Sequence, residues 1–180
     1  ADAVFSACFL NAMNRNCDIV GMANFAPILN TRGCIFTTEK AMVLRSTYYV
    51  FDLYVNYLGD TVLDSWWEEM PGLSVNRKDG EPVRVDTLDL LGTKWTDREG
   101  YALALVNKHP EEAQTITISM PEARGKAVLF TLNGPSRDSY NDVGRQEIQI
   151  QKHALGMYQE NSTVTLPPHS VNVLQIGVKQ

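Results

Sequence analysis

The stretch Tyr48-Tyr-Val-Phe-Asp-Leu-Tyr-Val-Asn-Tyr-Leu58-Gly59-Asp60-Thr-Val-Leu-Asp-Ser-Trp-Trp67 holds the change of character on which the fold turns. Its first half puts Val50, Tyr54, Tyr57 and Leu58 on one helical face. Ser46 or Thr47 can cap the N-terminus of that helix, and Gly59 is a natural stop. From Asp60 onward the chain reads as strands and turns, closing on Val164-Thr-Leu-Pro-Pro-His-Ser-Val-Asn-Val-Leu-Gln-Ile176.

Upstream, Val4, Phe5, Cys8, Phe9, Ala12 and Met13 form one helical stripe over residues 2–14, with Asp2 in the first turn where the helix dipole favours it. Asn14-Arg-Asn-Cys-Asp18 breaks the pattern. Ile19-Val-Gly-Met-Ala-Asn-Phe25 is a short apolar run without alternation, which predicts a strand buried on both faces, as in a parallel sheet. Ala26-Pro-Ile-Leu-Asn-Thr-Arg-Gly33 is a loop punctuated by Pro27 and Gly33, and Cys34–Thr38 is a short extension or a lid. Residues 1–59 thus read α-β-α. One strand with two helices is not a foldable sheet, and the segment resembles the last stretch of a (β/α)8 barrel whose missing strands would supply the other walls. It is too apolar to bury its own surface, and a large exposed apolar face is expected on it. The N-terminus, Ala1-Asp-Ala-Val-Phe5, lacks a start Met and a basic leader, and reads as a cut inside a longer frame.

Downstream, strands are predicted at 60–67, 83–91, 101–107, 113–118, 126–132, 146–152 and 162–176, the last in two pieces. Turn chemistry fills the gaps at Pro71-Gly72, Lys78-Asp-Gly80, Asp97–Gly100, Lys108–Glu112 and Asn133-Gly-Pro135. Thr115-Ile-Thr-Ile118 and Glu147-Ile-Gln-Ile150 alternate with period two, one wet face and one dry. Residues 60–180 therefore read as an antiparallel β-sandwich of jelly-roll type.

The net charge of −5 comes from interspersed acids and bases, with no basic stripe to suggest a nucleic-acid partner. The apolar runs are far shorter than the ~18 residues of a membrane span. Cys8, Cys17 and Cys34 are odd in number and lack C-x-x-C spacing, which argues for free thiols and, with them, a reducing, cytoplasmic setting. Asn161-Ser-Thr163 fits the glycosylation acceptor pattern.

No constellation of catalytic type emerges. Glu68-Glu69 and Glu111-Glu112 are neighbours that point to opposite faces of an extended chain. Asp52 reads as a helix-surface carboxylate. His109, His153 and His169 are scattered, Ser6, Ser46 and Ser65 sit in no nucleophile elbow, and no spacing suggests a metal or a cofactor. Trp66, Trp67 and Trp95 read as core before they read as a sugar-stacking platform. The remaining cluster lies in Asn24–Arg32, on a loop leaving the C-terminal end of the expected strand, where α/β barrels hold substrate. Asn30 and Arg32 offer donors and acceptors that suit a polyhydroxylated ligand. Equally, such side chains can hold their own loop backbone.

Met22-Ala-Asn-Phe-Ala-Pro-Ile-Leu-Asn-Thr-Arg-Gly33 followed by Thr47-Tyr-Tyr-Val-Phe-Asp-Leu-Tyr54 resembles the end of the catalytic barrel in family 51 glycoside hydrolases, which are mainly α-L-arabinofuranosidases. Ala1-Asp-Ala-Val-Phe-Ser-Ala-Cys-Phe-Leu-Asn11 is similar to that family's helix after barrel strand seven. Leu132-Asn-Gly-Pro-Ser-Arg-Asp-Ser-Tyr-Asn-Asp142 and Leu166-Pro-Pro-His-Ser-Val-Asn-Val-Leu174 resemble its C-terminal sandwich. The resemblance implies a barrel followed by a jelly roll, and a retaining mechanism with two glutamates about 5–5.5 Å apart across the scissile bond. Both glutamates would precede Ala1, so the 180 residues alone would be inactive. Where many members carry an arabinose-contacting glutamine, this chain has Pro27, with Arg32 close by. The expected role is the C-terminal portion of an arabinofuranosidase acting on arabinose-containing plant oligosaccharides. Missing barrel strands or another chain would lie against residues 1–59, and the parent would be a homo-oligomer. The competing reading is a non-catalytic carbohydrate-binding or structural sandwich module.

Overall fold

The computed structural model describes residues 1–178. Two helices, α1 (Asp2–Arg15) and α2 (Ser46–Tyr57), flank a hairpin of β1 (Ile35–Thr37) and β2 (Met42–Leu44). Ten strands follow: β3 (Thr61–Leu63), β4 (Gly72–Val75), β5 (Val83–Asp86), β6 (Leu88–Lys94), β7 (Tyr101–Asn107), β8 (Gln114–Ile118), β9 (Lys126–Asn133), β10 (Gln149–Met157), β11 (Ser162–Leu166) and β12 (Ser170–Ile176).

Six of them form one antiparallel sheet in the order β10-β9-β12-β7-β6-β3, while β11 pairs with β8 and β4 with β5. The large sheet is covered on both faces. Ala102, Ala104, Val106, Phe130, Leu132, Val171 and Val173 point to one side, where they pack with Ala7, Val50, Leu53 and Leu58 of the helical segment. Leu103, Leu105, Leu129, Leu174 and Ile176 point to the other, against Ile116, Ile118, Val164 and Leu166 of the β8–β11 ribbon. The layers are therefore helices, sheet, ribbon. Small residues at 102 and 104 let the helix layer approach the sheet closely.

The ribbon shows the expected alternation, with Thr115, Thr117, Thr163 and Thr165 outward and their neighbours buried. The strand expected over 60–67 ends at Leu63. The one expected over 83–91 is two strands in different sheets. The break is Thr87, whose N–H donates to Pro71 O at 2.9 Å while its own carbonyl accepts from Lys108 N–H, so its backbone cannot serve a single ladder. β4 begins at Gly72, inside an expected turn.

The strand expected over Ile19–Phe25 does not form. Residues 16–19 continue as turns off the end of α1, with Ile19 and Val20 N–H donating to Asn16 O, and residues 20–25 are irregular. No described strand lies beside them to complete a ladder, and a lone strand leaves its backbone groups unpaired. The front segment is thus helix, hairpin, helix. Its helices bury one face on the sheet, whereas Phe5, Phe9, Ile19, Met22, Ile28, Leu29, Met42 and Val55 remain exposed, Phe5 and Phe9 stacked with centroids 6.1 Å apart.

α2 starts at Ser46 behind Arg45, with no side-chain cap, so neither Ser46 nor Thr47 caps it. The hairpin is tied to the sandwich by Asn141, whose amide donates to Leu44 O at 3.0 Å and Ile148 O at 2.8 Å while its carbonyl oxygen accepts from Glu147 and Ile148 N–H.

Candidate functional site

The loop of residues 26–34 is built mainly by its own atoms. Asn30 has φ +53° and Thr31 φ +39°, a left-handed turn that Asn tolerates and a β-branched residue resists. The Asn30 N–H donates to Ile35 O at 2.8 Å, and its side-chain oxygen accepts from the Thr37 N–H at 2.8 Å and from the Thr37 hydroxyl at 3.2 Å. Gly33 admits no side chain, because a Cβ there would meet Ile28 O at 2.3 Å. Arg45 closes the turn by donating to Thr31 O at 2.8 Å and Gly33 O at 3.2 Å, with its guanidinium over the Phe36 ring.

Asn30 and Arg32 both lie exposed on this loop. The Asn30 carbonyl oxygen is engaged in holding the loop, leaving its NH2 group toward solvent. Arg32 makes no ion pair with Glu39 among the described residues. Sequence reasoning did not single out Arg45. Its signal was position: a cation just ahead of α2, close enough in sequence to satisfy the carbonyls of a tight preceding turn.

Between α1 and the sheet sits a polar cluster at the edge of an apolar layer. Asn11, fully buried, donates to Asp89 Oδ1 at 2.7 Å, and the Tyr54 hydroxyl donates to Asn11 Oδ1 at 2.5 Å with Ala7 O also in reach at 3.0 Å. Arg15 reaches Asp89 Oδ1 at 2.9 Å and the Leu90 carbonyl at 2.6 Å. Burial, with Asp89 nearby, pushes the Cys8 thiol up to about 11, and burial likewise raises the Tyr54 hydroxyl. Neither is then a nucleophile or a base near neutral pH. The cluster pins α1 and α2 to β6.

The other singled-out residues serve the fold. His109 Nδ1 accepts from the Glu112 N–H at 2.8 Å, and the His169 ring lies between Pro110 O and Gly134 O. Trp95 is buried beneath Arg98, whose guanidinium lies 4.6 Å from its ring centre, and Trp67 packs against the second core. Trp66 departs from the core reading, at 76% exposed. Among the described residues no three His, Cys, Asp or Glu side chains gather as a metal site would need, and no helix is long and apolar enough to cross a membrane.

The sequence profile of the alpha-L-arabinofuranosidase C-terminal domain matches residues 1–170. A probable alpha-L-arabinofuranosidase C of Aspergillus clavatus is 25% identical, aligned to 97% of this chain and 34% of its own length. An intracellular exo-alpha-L-arabinofuranosidase of Bacteroides ovatus is 28% identical over 97% of this chain, again 34% of its own length. The solved GH51 alpha-L-arabinofuranosidase of Thermotoga petrophila RKU-1 superposes with a TM-score of 0.84 at 25% identity, covering 99% of this chain and 38% of that one. The chain thus spans about a third of the length of the curated relatives it matches.

Proposed function

The chain belongs to the alpha-L-arabinofuranosidase C-terminal domain family, and on that premise we propose that it is the C-terminal portion of a retaining α-L-arabinofuranosidase that releases terminal arabinofuranosyl groups from plant oligosaccharides. Residues 1–59 act as the closing segment of the catalytic barrel and residues 60–180 as the sandwich that braces it. The two glutamates of the retaining pair come from a part of the parent enzyme outside these 180 residues. The enzyme works inside the cell, as the Bacteroides relative is named to do, and as a homo-oligomer.

The observation that carries this reading is the division of the front segment into two faces. One is packed on the sheet. The other carries Phe5, Phe9, Ile19, Met22, Ile28 and Leu29 into solvent, exposure that is costly at about 25 cal/mol per Å² of apolar area. Barrel strands laid against that face would also give residues 19–25 the ladder partners they lack.

Asn30 and Arg32 then stand at the rim of the sugar pocket. The Asn30 NH2 and the five-donor fork of Arg32 are suited to a ring of hydroxyls. Arg32→Ala in the full-length enzyme is expected to lower kcat/KM on an aryl arabinofuranoside by about tenfold, with an unchanged melting temperature. A fall in melting temperature with normal turnover would make Arg32 a loop residue and remove it from the site. The 180-residue chain assayed beside the full-length enzyme is expected to show no turnover. Activity near the parent's rate would place the active site within this chain and overturn the reading.

A further inference from the structure

The covering ribbon is narrower than the sheet beneath it. β10 is the edge of the six-stranded sheet, and β11 is an edge of the ribbon that lies over it. Gln151 pairs with Thr131 and His153 with Leu129, so both stand on the sheet face that the ribbon covers further in, yet both are exposed. The result is a groove of about 610 Å³, with β9 and β10 as floor and the Thr163–Thr165 edge of β11 as wall. That volume falls within the roughly 300–1,000 Å³ of small-ligand sites.

The lining has a definite chemistry. The Gln151 amide and the Thr163 hydroxyl have no protein partner among the described residues. Thr131 is buried and the Thr165 hydroxyl is bonded to that of Thr115 at 2.9 Å, while Leu129, Leu155 and Val164 supply apolar patches. The carboxylate of Glu147 is held by Arg145 at 2.8 Å, leaving His153 as the other titratable side chain of the groove. The free Gln151 amide and Thr163 hydroxyl, set among aliphatic patches, match a neutral ligand that presents hydroxyls and C–H faces in turn. Among the lining residues, the one carboxylate is already paired with Arg145.

We infer that this groove is a surface site for an uncharged linear oligosaccharide, separate from the loop of Asn30 and Arg32. The alternative occupant, an extended peptide paired to the free edge of β11, would be held by main-chain groups. The side-chain lining favours the sugar. The choice of probe rests on the arabinofuranosidase reading, whereas the site itself does not.

The test measures retention of the full-length protein by linear arabinan in native affinity electrophoresis, with polygalacturonate as the charged control. Gln151→Ala is expected to weaken the apparent affinity for arabinan by about fivefold, the effect of losing one hydrogen bond. Thr163→Trp, an exposed substitution that fills the groove, is expected to abolish it. Melting temperatures of both variants verify folding. Arabinan affinity unchanged in both variants, or absent in the parent, overturns the site. Loss in Thr163→Trp with none in Gln151→Ala keeps arabinan in the groove but overturns recognition through the Gln151 amide. Equal retention by polygalacturonate overturns the neutral class. Because the readout is polymer affinity rather than turnover, an Arg32→Ala result of either kind leaves this test intact.

Discussion

Asp89 anchors the helical layer to the sheet. It accepts from a fully buried amide, Asn11, and from Arg15, and so joins α1 to the sheet by charge-assisted bonds. Asp89→Ala would leave the Asn11 amide buried without its acceptor and is expected to cost about 2–3 kcal/mol, read as a lowered melting temperature in calorimetry. Arg15 is more exposed, so Arg15→Ala is expected to cost no more than about 1 kcal/mol. Equal losses for the two would mean that the ion pair, and not the buried amide, sets the strength of the clamp. Asp60 shows the opposite regime. Chiefly through the Thr96 hydroxyl, with the Thr96 and Thr61 bonds adding to it, its carboxyl is held below the ordinary range. A depressed folded-state value stabilises the protein above the unfolded carboxylate range, and that contribution disappears as pH falls through the folded value. Asp60→Asn is therefore expected to lower the melting temperature at pH 7, where the carboxylate's contribution is fully present, and to flatten the acid limb of the profile below about pH 4, where the parent loses that contribution. An unchanged slope would show that Asp60 is bonded alike in both states.

Among the elements, the helices and most strands were legible because each answers to local pattern. The apolar stripe over 2–14 and the face of Val50, Tyr54, Tyr57 and Leu58 need only a 3.6-residue period to be read. Thr115–Ile118 needs only a period of two. The expected strand at 19–25 failed because strand identity is a property of pairs: a run of apolar residues says what would be buried, and nothing local says whether a neighbour is present to bury it. The division at Thr87 was hidden for the same reason, since the groups that claim its backbone lie at Pro71 and Lys108. Of the candidate site, the loop and its turn residues were legible, but not the hand that closes it. Arg45 supplies that closure from outside the loop. Arg45→Ala is expected to speed amide exchange across residues 29–35 by an order of magnitude or more with little change in global stability, since each bond contributes only about 1 kcal/mol. Exchange unchanged in that segment would mean that the Asn30 and Thr37 bonds suffice.

In the whole molecule, the sheet carries a signal that the sequence displayed plainly. Ala102-Leu-Ala-Leu-Val106 and Val171-Asn-Val-Leu-Gln-Ile176 are largely apolar on both alternating faces, as strands covered on two sides must be. Read with that in mind, they demand a second covering layer beyond the ribbon, and the helices of the front segment provide it. The front segment and the sandwich consequently share one apolar interior on that side, with Ala7, Val50 and Leu53 fully buried beside Ala102, Ala104 and Val171. What remained illegible was the width of the ribbon relative to the sheet, which depends on strand order and leaves the β10 shelf uncovered.

β12 lies between β7 and β9, joining the piece β7-β6-β3 to the piece β9-β10. It is also the last of these strands to leave the ribosome. At translation rates of about 5–20 residues per second, several seconds separate the appearance of β7 from that of its partner. Late in that interval, once β10 is made, the nascent polypeptide holds two half-sheets with open inner edges, at β7 and at β9. A single late segment thus seals the seam of this architecture, and until it arrives the two inner edges are open to mispairing.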